Sequence, residues 1–207
     1  HELAFRMQSA VPELTDLKGE TDATKKLYGL DASFKNTATF GRNCLIARRL
    51  VERGGRFIEL TCPGGNGDRW DQHGGLKDGH TKNAKSVDQG IGALLQDLES
   101  RGLLDTTLVV WMGEFGRTPK INVNAGRDHW PNVSCAFLAG GGMRHGQVIG
   151  ASDQHAAEPA ERPVHMGEVH ATLYQAMGID PNETTLPDLT GRPQYLVDGW
   201  QPMKELV

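Results

Sequence analysis

Residues 106–131 read TTLVVWMGEFGRTPKINVNAGRDHWP. Thr106 to Met112 is an apolar run of strand character. It passes Gly113 and delivers a carboxylate, Glu114, to a Gly-containing polar loop that closes on Asp128-His129. A strand that hands an acid to a polar loop with more Asp and His nearby is a pattern typical of metal sites.

Working outward, Val87, Ile91, Leu94, Leu95 and Leu98 recur at helical spacing and predict a helix over 81–102, with Gly102 as its stop. Upstream, residues 56–62 (RFIELTC) alternate and predict a strand, which opens into the long loop PGGNGDRWDQHGGLKDGH at 63–80. Strand, helix and strand joined by a long crossover make a parallel unit, so the expected class is α/β.

The flanks are simpler. Leu3, Met7, Ala10, Val11 and Leu14 predict a short helix interrupted at Pro12 and after Thr15. A second helix is expected over 33–52, with Arg48, Arg49 and Arg53 read as its solvated last turn before Gly54-Gly55. Strands are expected at 134–139 and 147–150, and a short helix at 167–178 with Val169, Leu173, Ala176 and Met177 inward. The tail from Pro181 is read as surface wrapping. With no internal repeat and no shift in composition, residues 1–207 read as a single domain. The chain begins at His1 in mid-pattern and reads as a piece of something longer.

A net charge of −4 and a pI near 6.1 give no basic footprint, which argues against nucleic acid as a partner. Mean hydropathy is −0.46, and no apolar run reaches the roughly 18 residues of a membrane span. Cys44, Cys62 and Cys135 are odd in number and far apart, so they read as small buried residues rather than a disulfide or metal framework.

Ligands of open parallel sheets bind beyond the carboxyl ends of the strands. The two expected parallel strands lead to Asp71 and His73 and to Glu114, and the Asp128-His129 loop follows the second. Two imidazoles and three carboxylates suit zinc or manganese, or a pair of ions, which would draw in the oxygens of a phosphate or sulfate ester. Each member also has a plainer reading. Asp71 can serve a turn, Glu114 can pair with Arg117, and Asp128-His129 can pin a loop beside Trp130. His170 shares a face with Leu173 and Met177 and reads as a structural, partly buried histidine. His165 is left undetermined, and His80, His145 and His155 read as surface residues. No nucleophile stands out; Ser134 reads as core filling, and Thr118 is the one hydroxyl placed near Glu114.

MGEFGRTPKIN, AGRDHWP, FLAGGGMRHGQVIGASD, the WDQHGG loop and EVHATLYQAMGID together resemble the C-terminal half of an uncharacterised, sulfatase-like family of exported bacterial proteins within the alkaline phosphatase superfamily. The resemblance runs over essentially the whole chain. It implies a three-layer α/β/α sandwich whose metals bridge a phosphate or sulfate ester, attacked in line by a Ser, Thr or formylglycine. It implies that Asp71 and His73 bind one metal. Glu114-Phe115 falls where relatives carry an Asp-His pair, and His129 where a later His completes the site, with Asp128 left to substitute for the ligand lost at Phe115. The nucleophile is implied to lie upstream of His1, so no catalytic nucleophile is expected in this chain.

A first strand is also implied to be missing, leaving a sheet slot that self-association would cover. The expected function is therefore a metal-dependent hydrolase of sulfate or phosphate esters. Asp71, His73, Glu114, Asp128 and His129 are its expected ligands for zinc, manganese or calcium, and Arg117 and Lys120 hold the anion of a small ester or sulfated glycan. Export is expected by the same resemblance. The alternative is a non-catalytic scaffold that binds an anionic glycan or a protein partner.

Overall fold

The computed structural model describes residues 11–62 and 69–207. The chain forms two compact units, His1–Leu103 with Ile121–Asp128, and Leu104–Lys120 with His129–Val207. Of the first expected helix, residues 11–15 are helical; its earlier positions Leu3, Met7 and Ala10, like residues 63–68, lie outside the described residues.

The first unit is helical. Helix α1 (Asp22–Leu27) is capped by Thr21, whose hydroxyl accepts from Thr24 N–H, and α2 (Lys35–Glu52) and α3 (Leu76–Ser100) pack on each other. Phe40, Cys44, Leu45 and Ala47 of α2 and Val87, Ala93, Leu94 and Leu98 of α3 form the core. Leu45 and Leu98 are almost wholly buried, and each such side chain contributes about 1.5–3 kcal/mol. The close approach depends on Gly90, where an added Cβ would lie 2.9 Å from the Phe40 ring and 3.3 Å from Cys44 Sγ.

Of the arginines expected in a solvated last turn, Arg53 is exposed, whereas Arg48 and Arg49 belong to a buried ionic network. Arg48 donates to Glu20 at 2.7 Å and Glu52 at 2.6 Å, its Nε makes an ion contact with Asp97 at 3.0 Å, and Arg49 reaches Glu20 at 3.0 Å. Tyr28 Oη and Arg101 Nε complete Asp97, at 3.0 and 2.7 Å. The reason is periodicity: Arg48 shares the inward face of α2 with Cys44 and Leu45, so its charge has to be met by acids inside the fold. Burial works against the Arg48 cation, yet the hydrogen bonds it donates to Glu20 and Glu52 outweigh it and hold the guanidinium above its ordinary pKa. Burial, with Asp97 adding to it, pushes the Tyr28 phenol well up.

The second unit holds all the strands found among the described residues, in four two-stranded antiparallel sheets. β1 (Leu108–Met112) pairs with β4 (Ala136–Gly140), β2 (Gly116–Arg117) with β3 (His129–Trp130), β5 (Ala151–Ser152) with β6 (Pro159–Glu161), and β7 (Thr185–Pro187) with β8 (Pro193–Tyr195). Helix α4 (Met166–Ala176) joins Met143, Met203 and Leu206 through Val169, with Leu108 and Leu138 packed against them from the β1–β4 sheet.

These pairings differ from the parallel sheet expected of a three-layer sandwich. A parallel pair needs a crossover, usually helical, and the chain between β1 and β4 contains no α-helix, so β4 returns antiparallel to β1. Residues 56–62, expected as a strand, form none; with no ladder on either side their alternation goes unused and Phe57 is 82% exposed. Residues 147–150 are likewise not a strand, and pairing starts only at Ala151. The expected strands at 106–112 and 134–139 are present as β1 and β4, but β1 is not fully buried, since Trp111 is 50% exposed. The long helix begins at Leu76 rather than 81, because loop carbonyls satisfy its first amides.

Candidate metal centre

The WDQH segment is laid down by the first turns of α3. Arg69 donates to Asn83 Oδ1 at 3.2 Å and Ser86 Oγ at 3.4 Å, and Asn83 donates back to the Arg69 carbonyl. Trp70 sits edge-on to His80 with 5.3 Å between centroids, and Gln72 Oε1 meets His80 Nδ1. Arg69, Trp70 and Gln72 therefore anchor the segment, while His73 turns to another partner.

That partner is the 121–128 loop. His73 Nε2 lies 3.1 Å from Asp71 Oδ1, and His73 Nδ1 lies 2.9 Å from Asp128 Oδ1. A carboxylate only accepts, so a neutral His73 donates from one ring nitrogen at a time, and the tautomer that donates from Nδ1 to Asp128 leaves the lone pair on Nε2. The loop is locked by Asn122, whose side-chain oxygen accepts from Asn124 and Gly126 N–H at 3.0 and 2.9 Å. Its NH2 donates to the His73 carbonyl at 3.0 Å and to Asp128 Oδ1 at 3.1 Å. Gly126 cannot be replaced cheaply: an added Cβ would lie 2.0 Å from the His73 carbonyl carbon. The Asn124 and Ala125 carbonyls accept from Gly75 and Leu76 N–H at 3.2 and 2.9 Å, tying the loop to the start of α3.

Of the other expected site residues, Glu114, Arg117, Lys120 and His129 belong to the second unit. Glu114 pairs with Arg117 at 3.0 Å, which is the alternative the sequence left open for it. The Arg117 guanidinium lies 5.1 Å over the Phe115 ring, and Phe115 packs on His129 with centroids 4.7 Å apart. Arg117 and His129 are register partners in β2–β3, and Trp130 Nε1 donates to the Ala157 carbonyl at 2.7 Å. Lys120 is exposed, and its carbonyl accepts from the Thr118 hydroxyl at 2.9 Å.

Several histidine and cysteine readings change. His170 is exposed rather than partly buried, because Val169, Ala171 and Thr172 take the inward face of α4. His165 is the N-cap of α4: its Nδ1 accepts from Gly167 N–H while Glu168 accepts from His165 N–H, a reciprocal capping box. Its ring stacks on Trp200 at 3.9 Å. His80 is half-buried against Trp70 rather than a surface residue. Ser134 is exposed and precedes β4, so it fills no core. Only Cys44 of the three cysteines is buried, and burial pushes its thiol up to about 12; Cys135 is exposed.

Sequence reasoning missed Asn122. The signal was the NVNAG run, an Asx-turn composition ending at a glycine, inside a stretch read only for its Asp and His.

A carboxylate and an imidazole meet in a loop, with a second carboxylate behind the imidazole. The chain belongs to the family described as "Protein of unknown function (DUF1501)", which matches residues 1–207. This corrects the resemblance drawn from the sequence motifs: the family matched is one of unknown function, and nothing links the chain to sulfatases or to the alkaline phosphatase superfamily. No curated protein and no solved structure matches the chain.

Proposed function

We propose that the chain holds a divalent metal ion on Asp71 and His73 and through it binds the oxygens of a phosphate or sulfate ester, which it hydrolyses. One observation carries the reading: His73 is gripped at both nitrogens by carboxylates, Asp71 at 3.1 Å and Asp128 at 2.9 Å. Metal-ligating histidines characteristically donate their second N–H to a carboxylate, which sets the tautomer and raises the basicity of the other nitrogen. In this reading Asp128 is the orienting carboxylate, and Asp71 Oδ1 and His73 Nε2 are the ligand atoms.

The mixed nitrogen and oxygen donor set suits zinc or manganese better than calcium, which takes oxygen ligands. Two protein ligands leave coordination positions for the ester and for water. A divalent ion there would supply polarisation of the ester oxygen and a water acidified toward neutrality. The residues of the chain do the rest: Asp128 keeps the imidazole in one orientation, and the Arg69, Trp70 and Gln72 anchors hold the segment on α3.

A second reading, a binding scaffold without turnover, is favoured by the Glu114–Arg117 pair and the Phe115–His129 packing, which employ those side chains in structure. Calorimetric titration of the chain with Zn2+ and Mn2+, followed by assay with p-nitrophenyl phosphate and p-nitrophenyl sulfate, separates the two. Metal uptake lost in Asp71→Asn and His73→Ala, together with turnover, supports the hydrolase. Uptake without turnover supports the scaffold, and a chain that takes neither ion overturns both the metal and the hydrolase.

A further inference from the structure

We infer that Asn122 is the positioning residue of the Asp71–His73–Asp128 site, acting through both the backbone of His73 and the carboxylate of Asp128; the inference rests on the metal-site reading above. All four hydrogen-bonding positions of its side-chain amide are used. The oxygen takes two loop amides, from Asn124 and Gly126, and the NH2 bridges the His73 carbonyl and Asp128 Oδ1. The assignment of oxygen and nitrogen follows from the partners, since one end meets only donors and the other only acceptors.

The geometry makes the amide more than a loop staple. Asp128 Oδ1, the atom that holds His73 Nδ1, also receives the Asn122 NH2 at 3.1 Å, so one donor fixes where the orienting carboxylate sits. The same NH2 fixes the carbonyl of the residue whose ring is oriented, at 3.0 Å. Backbone and carboxylate are thereby set relative to each other by a single side chain, 49 residues from His73 and 6 from Asp128. Supporting groups of this kind are worth 10- to 100-fold in metal affinity, on the order of what a ligand-orienting carboxylate contributes.

The two ends of the amide can be separated by substitution. Asn122→Asp keeps an oxygen for the Asn124 and Gly126 amides but turns a second, charged oxygen toward the His73 carbonyl and Asp128. The loop retains its turn, and the site loses its donor. Asn122→Ala removes both ends and serves as the second variant. Zn2+ titration of the 207-residue chain by calorimetry is expected to show affinity reduced about 10- to 100-fold in both variants. Asn122→Asp binding Zn2+ within twofold of the unsubstituted chain overturns the inference.

A second readout needs no metal. In long-range 1H–15N spectra of the metal-free chain, the His73 Nδ1 proton is expected to be protected from solvent exchange in the unsubstituted protein and to lose that protection in Asn122→Asp. Unchanged protection overturns the positioning role, even if the chain binds no Zn2+ and the metal reading has failed by itself.

Discussion

Asp128 Oδ1 lies 2.9 Å from His73 Nδ1, although 55 residues separate them in the chain. Both belong to the same compact unit, because residues Ile121–Asp128 return to the helical unit after the chain has left it. The ion contact of His73 with Asp71 is local, but its orientation is set by that long-range partner.

Removing the partner should therefore weaken metal binding without removing a ligand. Asp128→Asn is expected to lower Zn2+ affinity about 10- to 100-fold, whereas His73→Ala abolishes measurable binding. Calorimetric titration of the two variants side by side makes the comparison. Equal losses would show that Asp128 is itself a ligand.

The network at Arg48 makes a stability prediction. Its side chain is 3% exposed and meets Glu20, Glu52 and Asp97. Arg48→Met removes the cation the three acids share, leaving Arg49 on Glu20 and Arg101 on Asp97 and Glu52, and breaking a buried ionic network in this way costs about 3–5 kcal/mol. Urea denaturation followed by circular dichroism measures it; a loss under about 1 kcal/mol would show that Arg101 and Arg49 suffice for the acids.

Acid should loosen the clamp at the start of α4. Arg162 binds Glu205 at 2.6 Å and Glu168 at 2.9 Å, and its hydrogen bond holds Glu205 at about 2, down from 4.5. A depressed carboxylate contributes stability that is fully present above its unfolded value and is lost as pH falls toward its folded one. The contribution should thus be intact above pH 4.5 and disappear between there and about pH 2. Trp200 fluorescence, read in a chain whose other three tryptophans are replaced by Phe and followed through that window, reports it locally, and Glu205→Gln should flatten the transition. A transition unchanged by Glu205→Gln would assign the acid sensitivity to other groups.

Cysteine reactivity gives a test of packing. Cys44 sits between the helices with its thiol held up to about 12, so at neutral pH it should ignore a disulfide reagent until the chain unfolds. Cys135, exposed, should react at once. Mass spectrometry of alkylated peptides before and after denaturation distinguishes the two sites.

Much of the local structure was legible. The helices at 35–52 and 76–100 and the strands at 108–112 and 136–140 follow from apolar periodicity, because burying one face of an element requires that period whatever its neighbours are. Asp71 and His73 were read together as ligands; their direct contact was not read, though two residues apart in sequence they need little tertiary help to meet.

Partnership, by contrast, came from the folded chain. Residues 56–62 have strand character, yet no strand lies beside them among the described residues, and β1 pairs antiparallel because no helix carries the chain across before β4. Arg48 and Arg49 look like a solvated turn until Glu20 and Asp97 are brought in from elsewhere in the chain. Asn122 carries no signal of its role until its amide is seen between His73 and Asp128. Periodicity encodes which face of an element is buried. Which distant charge or carbonyl meets that face depends on loop closure, and a one-dimensional pattern does not contain it.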